Sequence, residues 1–159
     1  MSLLDFQTAR LQAVPWQDLT ALEMAGLFAP NVVRWLPQGF QATEDDGARR
    51  AFLAAVSQQA EVIALRNLAG QSIGLVILSF PEEGRLIRNL GYLFAEPAWG
   101  QGLASELIAG LQVHFRGSGV TLSGGVMQEN AASARVLEKA GFTPEPMGAE
   151  TVFCWRADS

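Results

Sequence analysis

The stretch from 61 to 94 constrains this chain most. Three strand-sized apolar segments, EVIALRNL, SIGLVILSF and RLIRNLGYLF, are separated only by AGQ and PEEG. Connections this short close hairpins and cannot carry the crossover that parallel neighbours need. An antiparallel three-strand meander is therefore predicted, and a doubly wound parallel sheet is disfavoured for the first half. With 159 residues the expectation is one domain, 1–159. A chain of this size buries roughly 68 to 70% of its unfolded surface, so it needs neither metal nor disulfide to hold a fold.

The flanks read as mixed helix and strand. ARLQAV (9–14) is a short strand stopped by Pro15, after which Leu19, Leu22, Glu23 and Leu27 fall at helical spacing. Residues 31–40, broken by Pro37 and Gly39, predict a short helix and a loop. Thr43 stands at an N-cap position, with Asp46 three residues on, before a helix carrying Ala51, Phe52, Leu53 and Val56. Beyond the meander, Leu103, Leu107, Ile108, Leu111 and Phe115 make a helical stripe, and GVTLSGGVM is a strand weakened by two glycines. ENAASARVLEKAGF carries Val136, Leu137 and Ala140 on a helix ended by Gly141. TPEPMGAE reads as a turn-rich stretch and TVFCWRAD as the last strand.

Composition excludes several classes. A single cysteine, Cys154, can form no internal disulfide, which points to a cytoplasmic setting and a buried apolar role. One His and one Cys are too few for a zinc site, so no metal is expected. Eleven basic residues against sixteen acidic ones give a net charge of −5, and no basic cluster exceeds Arg49-Arg50. That balance argues against a nucleic-acid partner and suits a cationic ligand. No apolar run approaches the ~20 residues that span a bilayer, so no membrane partner is expected. MSLLDFQTAR, interrupted by Asp5, lacks the pattern of a signal peptide.

The chemistry-bearing segment is WGQGLAS (99–105), where a glycine turn runs into a helix. Backbone N–H groups and the helix dipole make an anion site there, and Gly100 and Gly102 let a phosphate approach the backbone. No Gly-Lys-Ser/Thr is present, and the only lysine, Lys139, lies elsewhere, so this is not a P-loop. Nor is it a dinucleotide fingerprint, because Ser105 stands where the third glycine would be.

LGYLFAEPAWGQGLASEL (90–107) and ENAASARVLEKAGF (129–142) resemble the two signature segments of the GNAT acetyltransferases, and more narrowly the branch that acetylates ribosomal-protein N-termini. The first is similar to the acetyl-CoA pyrophosphate loop, Arg/Gln-x-x-Gly-x-Gly/Ala, from Trp99 to Ala104, with Trp99 replacing the Arg or Gln. The second matches the branch pattern at Asn130, Ser133, Arg135, Gly141 and Phe142. The resemblance implies an α+β fold: a mixed, mostly antiparallel sheet of six to seven strands, flanked by about four helices. One splayed parallel strand pair would hold acyl-CoA. It implies acetyl-CoA as co-substrate, held by the backbone around Leu93 and Phe94 in a β-augmentation mode, by Gly100, Gln101, Gly102, Leu103, Ala104 and Ser105, and by Asn130, Ser133 and Arg135.

Many family members protonate the departing thiolate with a tyrosine, and here Leu137 stands at that place. In the ribosomal branch a serine takes part, which implicates Ser133, either as donor to the sulfur or only as a cap or CoA contact. A glutamate follows the Gly-Phe in that branch, and Glu150 becomes its counterpart with a short deletion in TPEPMGAE. It is either the general base or a solvated turn carboxylate. His114, in the last turn of its helix, reads as structural. Trp35, Phe40 and Tyr92 are the expected substrate wall.

The function these residues imply is transfer of an acetyl group to a primary amine, of a peptide or a small molecule, by a monomer or homodimer. The alternative is a non-catalytic acyl-CoA-binding module of the same fold. GQSIG (70–74) is a formal Gly-x-Ser-x-Gly, but Ser72 enters a strand from a hairpin turn, the wrong context for a hydrolase nucleophile.

Overall fold

A computed structural model describes residues 2–41, 44–82 and 84–157. β1 (Gln12–Pro15) leads through a 3-10 turn to α1 (Ala21–Leu27). A capping box starts α1: the Thr20 hydroxyl accepts from the Glu23 N–H, and the Glu23 carboxylate accepts from the Thr20 N–H. Met24 and Leu27 are its buried face, whereas Leu22, counted in the stripe by its spacing, is 84% exposed. α2 (Pro30–Val33) is a single turn, followed by a 3-10 turn at Gln38–Phe40. α3 (Asp46–Val56) is capped by Asp45, whose carboxylate accepts from the Ala48 N–H at 2.7 Å. Thr43 lies outside the described residues.

The meander is present as β2 (Ala60–Arg66), β3 (Ser72–Ser79) and β4 (Ile87–Phe94), paired antiparallel throughout. α4 (Leu103–His114), β5 (Thr121–Met127), α5 (Ala131–Lys139), β6 (Thr143–Met147) and β7 (Glu150–Arg156) complete the chain. Among the described residues the strands form one seven-stranded sheet, in the order β1-β2-β3-β4-β5-β7-β6, with β4 and β5 as its parallel pair. No helix among them is long and apolar enough to cross a membrane.

The turn-rich reading of TPEPMGAE is corrected by β6. Its register with β7 runs from Thr143↔Cys154 to Met147↔Glu150. Pro144 and Pro146 fit because β6 is an edge strand: two residues apart, they place both missing N–H groups on the side away from β7.

Side chains alternate across the sheet and fill two cores. On one face Leu107, Ile108, Leu111 and Phe115 of the α4 segment pack on Ile63, Val76, Leu122 and Phe153. On the other, Met24, Leu27 and Leu53 pack on Val62, Ala64, Leu75 and Leu93. Burial on both faces explains the near-continuous apolar run of β3. Ser72 starts that strand at 6% exposure, its N–H donating to Glu23 Oε2, and no helix follows it.

Candidate active site

The site arises where the parallel pair comes apart. β4 and β5 are in register at Ile87↔Thr121, Arg88↔Leu122 and Asn89↔Ser123, and no further. Beyond that point β4 stays with β3 as far as Phe94, and β5 stays with β7 as far as Met127. Each strand follows its outer partner, and a gap opens between Leu90–Phe94 and Gly124–Met127.

Main-chain direction along β4 alternates, and two bonds fix its phase. The Thr121 N–H donates to the Leu86 carbonyl, so even-numbered residues face β5; the Ala95 N–H donates to the Ile73 carbonyl, so odd-numbered residues face β3. The groups presented to the gap are thus those of Leu90, Tyr92 and Phe94. This corrects the assignment of Leu93, whose amide faces β3 and whose side chain is buried in the core with Leu75. Phe94 does face the gap, but its carbonyl accepts from the Trp99 indole N–H at 2.8 Å. Tyr92 is left as the unencumbered residue for an added strand.

The loop after β4 reaches α4 through two left-handed glycines, Gly100 at φ 75° and Gly102 at φ 76°. Gly102 is the N-cap and has no side chain to bond the first turn, so the N–H groups of Leu103, Ala104 and Ser105 are left for an outside acceptor. The side chain of Leu103 is buried, and only its backbone can serve. Gln101 turns away: its side chain donates to the Pro97 carbonyl, and its own carbonyl accepts from Arg10 Nη1 at 3.0 Å. Arg10 is braced by Glu106, one turn into α4, through Nε–Oε1 at 2.7 Å and its N–H to Oε2 at 2.9 Å. Burial pushes the Glu106 carboxyl up, but bonds from Thr8 and Arg10 outweigh it and hold the group below its ordinary value. No local pattern signals this clamp, because Arg10 lies some ninety residues upstream.

α5 closes one side of the gap. Asn130 caps it, its side chain accepting from the Ser133 N–H, and Ser133 and Leu137 follow one turn apart on the same face. The Tyr92 hydroxyl lies 3.1 Å from Ser133 Oγ. Burial raises the Tyr92 pKa against the opposing effect of that bond. Arg135, about 200° around the helix from Ser133, is exposed and is not brought to the gap.

The opposite face carries Glu150 and Trp35. Leu122 and Val126 point to the α4–α5 core, so Gly125 points the other way; Phe153 does the same on β7, so Glu150 points with Gly125. The Glu150 carboxylate lies across Gly125, with no room between them for a Cβ. Trp35 lines the gap, and the Arg34 guanidinium lies 4.6 Å from the centre of its ring. Between the faces is a cavity of about 70 Å³, bounded by Trp35, Leu36, Tyr92, Gly125, Ser133 and Leu137. A larger cleft of about 360 Å³ adjoins Gln101 beside Arg10, but its lining holds neither a hydroxyl nor a carboxylate and it lies outside the gap.

Of the expected substrate wall, Trp35 and Tyr92 meet at this cavity and Phe40 does not. Phe40 is a core residue, its ring 6.0 Å from Phe28 and 4.8 Å from Phe52. His114 sits at the far end of α4, about 17 Å from the glycine loop by helical rise, among Phe6 and Phe115. Cys154 is half-buried on β7, its thiol 3.8 Å from Ser123 Oγ.

The sequence matches the family described as "Acetyltransferase (GNAT) domain" over residues 10–143. No curated protein matches it. Among solved structures the fold is similar to RimL, a ribosomal L7/L12 alpha-N-protein acetyltransferase in complex with coenzyme A, with TM-score 0.77, 17% identity, and 95% of this chain and 96% of that chain covered. It is similar to Mycobacterium smegmatis RimJ in complex with CoA-disulfide, with TM-score 0.74, 19% identity and coverage of 92% and 81%. It is also similar to the microcin C7 self-immunity acetyltransferase MccE in complex with acetyl-CoA and AMP, with TM-score 0.72, 12% identity and coverage of 94% and 93%. At these identities the likeness is one of fold.

Proposed function

The chain belongs to the GNAT acetyltransferase family, and on that premise we propose that it moves the acetyl group of acetyl-CoA directly onto a primary amine at the β4–β5 gap. One observation carries the reading. The gap has a carboxylate, Glu150, on one face and a paired hydroxyl, Ser133 with Tyr92, on the other. Amine acylation needs a proton acceptor on the amine side and a donor on the thiol side, and the two faces separate these roles.

The residues fit an acyl-CoA. The N–H groups of the first turn of α4, approached over Gly100 and Gly102, suit a pyrophosphate. The main chain of Tyr92 suits an extended amide-bearing arm. Bound acetyl-CoA supplies an activated acetyl thioester. Ser133 holds a proton at Oγ for the sulfur, and Glu150, seated over Gly125, accepts one at its carboxylate from the amine, while Trp35, Leu36 and Leu137 line the cavity beside Ser133.

The acceptor we propose is an α-amine. An amine of pKa ~8 needs only roughly 1.4 kcal/mol to be neutral near pH 7, whereas a lysine-like amine of pKa ~10.4 needs over three times that. An exposed carboxylate such as Glu150 suits the smaller demand. RimL, whose fold this chain shares, is described as acting on the α-nitrogen of a ribosomal protein. We place the reaction in the cytoplasm, with a peptide or small-molecule amine as partner.

The test is thiol release from acetyl-CoA over a panel of N-terminal peptides, polyamines and aminoglycosides. Release with the peptides, and little with the others, is the expected result. Tight acetyl-CoA binding with no release over any amine would assign the chain to non-catalytic acyl-CoA binding instead.

A further inference from the structure

The chain has a single tyrosine, and it stands at the gap. Tyr92 reaches from β4 to α5, where its hydroxyl meets Ser133 Oγ at 3.1 Å, and the distance alone allows either oxygen to donate. Chemistry selects the phenol as donor. It is the more acidic hydroxyl, and burial keeps it protonated through the neutral range. A serine has one proton to give, and if Oγ accepts from Tyr92 that proton is free to face the cavity both residues line. Leu137, one turn further along α5, is apolar and buried, so the helix offers no second hydroxyl on this face.

We propose that Tyr92 is a positioning residue for Ser133, holding Oγ so that the serine proton is presented into the gap toward the sulfur of acyl-CoA. A phenol from the sheet thereby supports the helix at the place where Leu137 has none. No bond to Tyr92 breaks in this role: its O–H stays on Oγ while Ser133 donates. The identity of the sulfur rests on the acetyl-transfer reading above, and the hydrogen bond itself does not.

Because the tyrosine is single, phenolate absorbance in the near ultraviolet reports Tyr92 alone. In the wild type it should titrate above the ordinary tyrosine range, and Ser133→Ala should move it higher still, because once the phenol has lost its proton the Ser133 hydroxyl turns to donate to the phenolate, and alanine has no proton to give. Added CoA, whose thiol stands for the departing sulfur, should shift the wild-type titration and leave that of Ser133→Ala unmoved. Tyr92→Phe should lower kcat about 10-fold with acetyl-CoA affinity within about twofold, and the double variant should match Ser133→Ala alone. A titration indifferent to Ser133→Ala or to CoA, or a Tyr92→Phe loss that adds in full to that of Ser133→Ala, would overturn the proposal. If both titration shifts occur and the wild type acetylates no amine, the pairing stands and the acetyl-transfer reading fails.

Discussion

Glu150 lies directly over Gly125: a Cβ built on the glycine would stand 2.9 Å from the Glu150 carboxyl carbon, and nearer still to Oε1. The missing side chain on β5 is the seat of a carboxylate from β7. Gly125→Ala must therefore displace Glu150 while leaving the cofactor loop untouched. Misplacing a reacting group by about 1 Å can cost up to ~100-fold, so we expect a kcat loss of about 10- to 100-fold with acetyl-CoA affinity retained. In a Glu150→Gln background the same change should cost little more. Steady-state kinetics of the four proteins settles it, and full additivity would separate Gly125 from Glu150.

Gly102 tests the loop. At φ 76° any side chain is strained, and Gly102→Ala should cost about 1–2 kcal/mol of stability by thermal unfolding. Gly102→Asp adds an anion beside the first turn of α4, where a pyrophosphate would sit. Acetyl-CoA affinity, measured by calorimetry, should fall at least about 10-fold further than in the alanine variant. Equal affinities in two folded variants would remove the loop from the account.

Glu106 makes acid stability predictable in sign. Burial raises its pKa, but bonds from Thr8 and Arg10 prevail, so the folded value lies below the unfolded one. Its stabilisation is complete above the unfolded carboxylate pKa of about 4.3 and is lost as pH falls through the depressed folded value. Glu106→Gln should cost about 1–2 kcal/mol at pH 7, allowing for the partial exposure of Arg10, and should flatten the acid limb of the Tm profile. Because Arg10 also holds the Gln101 carbonyl, the variant should bind acetyl-CoA more weakly.

Phe40 and Trp35 separate core from site. Phe40→Ala removes a ring packed on Phe28 and Phe52 and should cost about 3–5 kcal/mol in chemical denaturation, with the acceptor KM of the folded fraction unchanged. Trp35→Ala should raise acceptor KM with a smaller stability loss. The opposite pattern would return Phe40 to the substrate wall.

The meander and the glycine turn into α4 were legible because they depend on local signals: short turn segments, apolar runs, and glycines before a helical stripe. What escaped depends on partners far along the chain. β6 was hidden by Pro144 and Pro146, which read as turns unless the strand is known to be an edge. Phe40 reads from the sequence as part of an aromatic wall with Trp35 and Tyr92, and only its packing on Phe28 and Phe52 shows that it faces inward. The main chain around Leu93 and Phe94 is legible as the edge of the gap, but which residues turn toward it depends on phase, which two bonds, Thr121 to Leu86 and Ala95 to Ile73, supply. The Arg10–Glu106 clamp and the Gly125–Glu150 seat join segments whose pairing no spacing encodes. The two glycines of TLSGGVM were readable as a weakened strand, but not as two different roles: Gly124 is buried toward α5, and Gly125 is the seat of Glu150.

Acetyl transfer at the gap and mere retention of acyl-CoA differ in their products. The most direct measurement follows free thiol and peptide mass together, in one reaction of the purified chain with acetyl-CoA and an N-terminal peptide. A transferase forms thiol and Nα-acetylated peptide in equal amounts, with both rates reduced in Ser133→Ala and in Glu150→Gln at nearly unchanged acetyl-CoA affinity. Saturable acetyl-CoA binding with neither thiol nor acetylated peptide formed, for any N-terminal sequence tried, would contradict transfer.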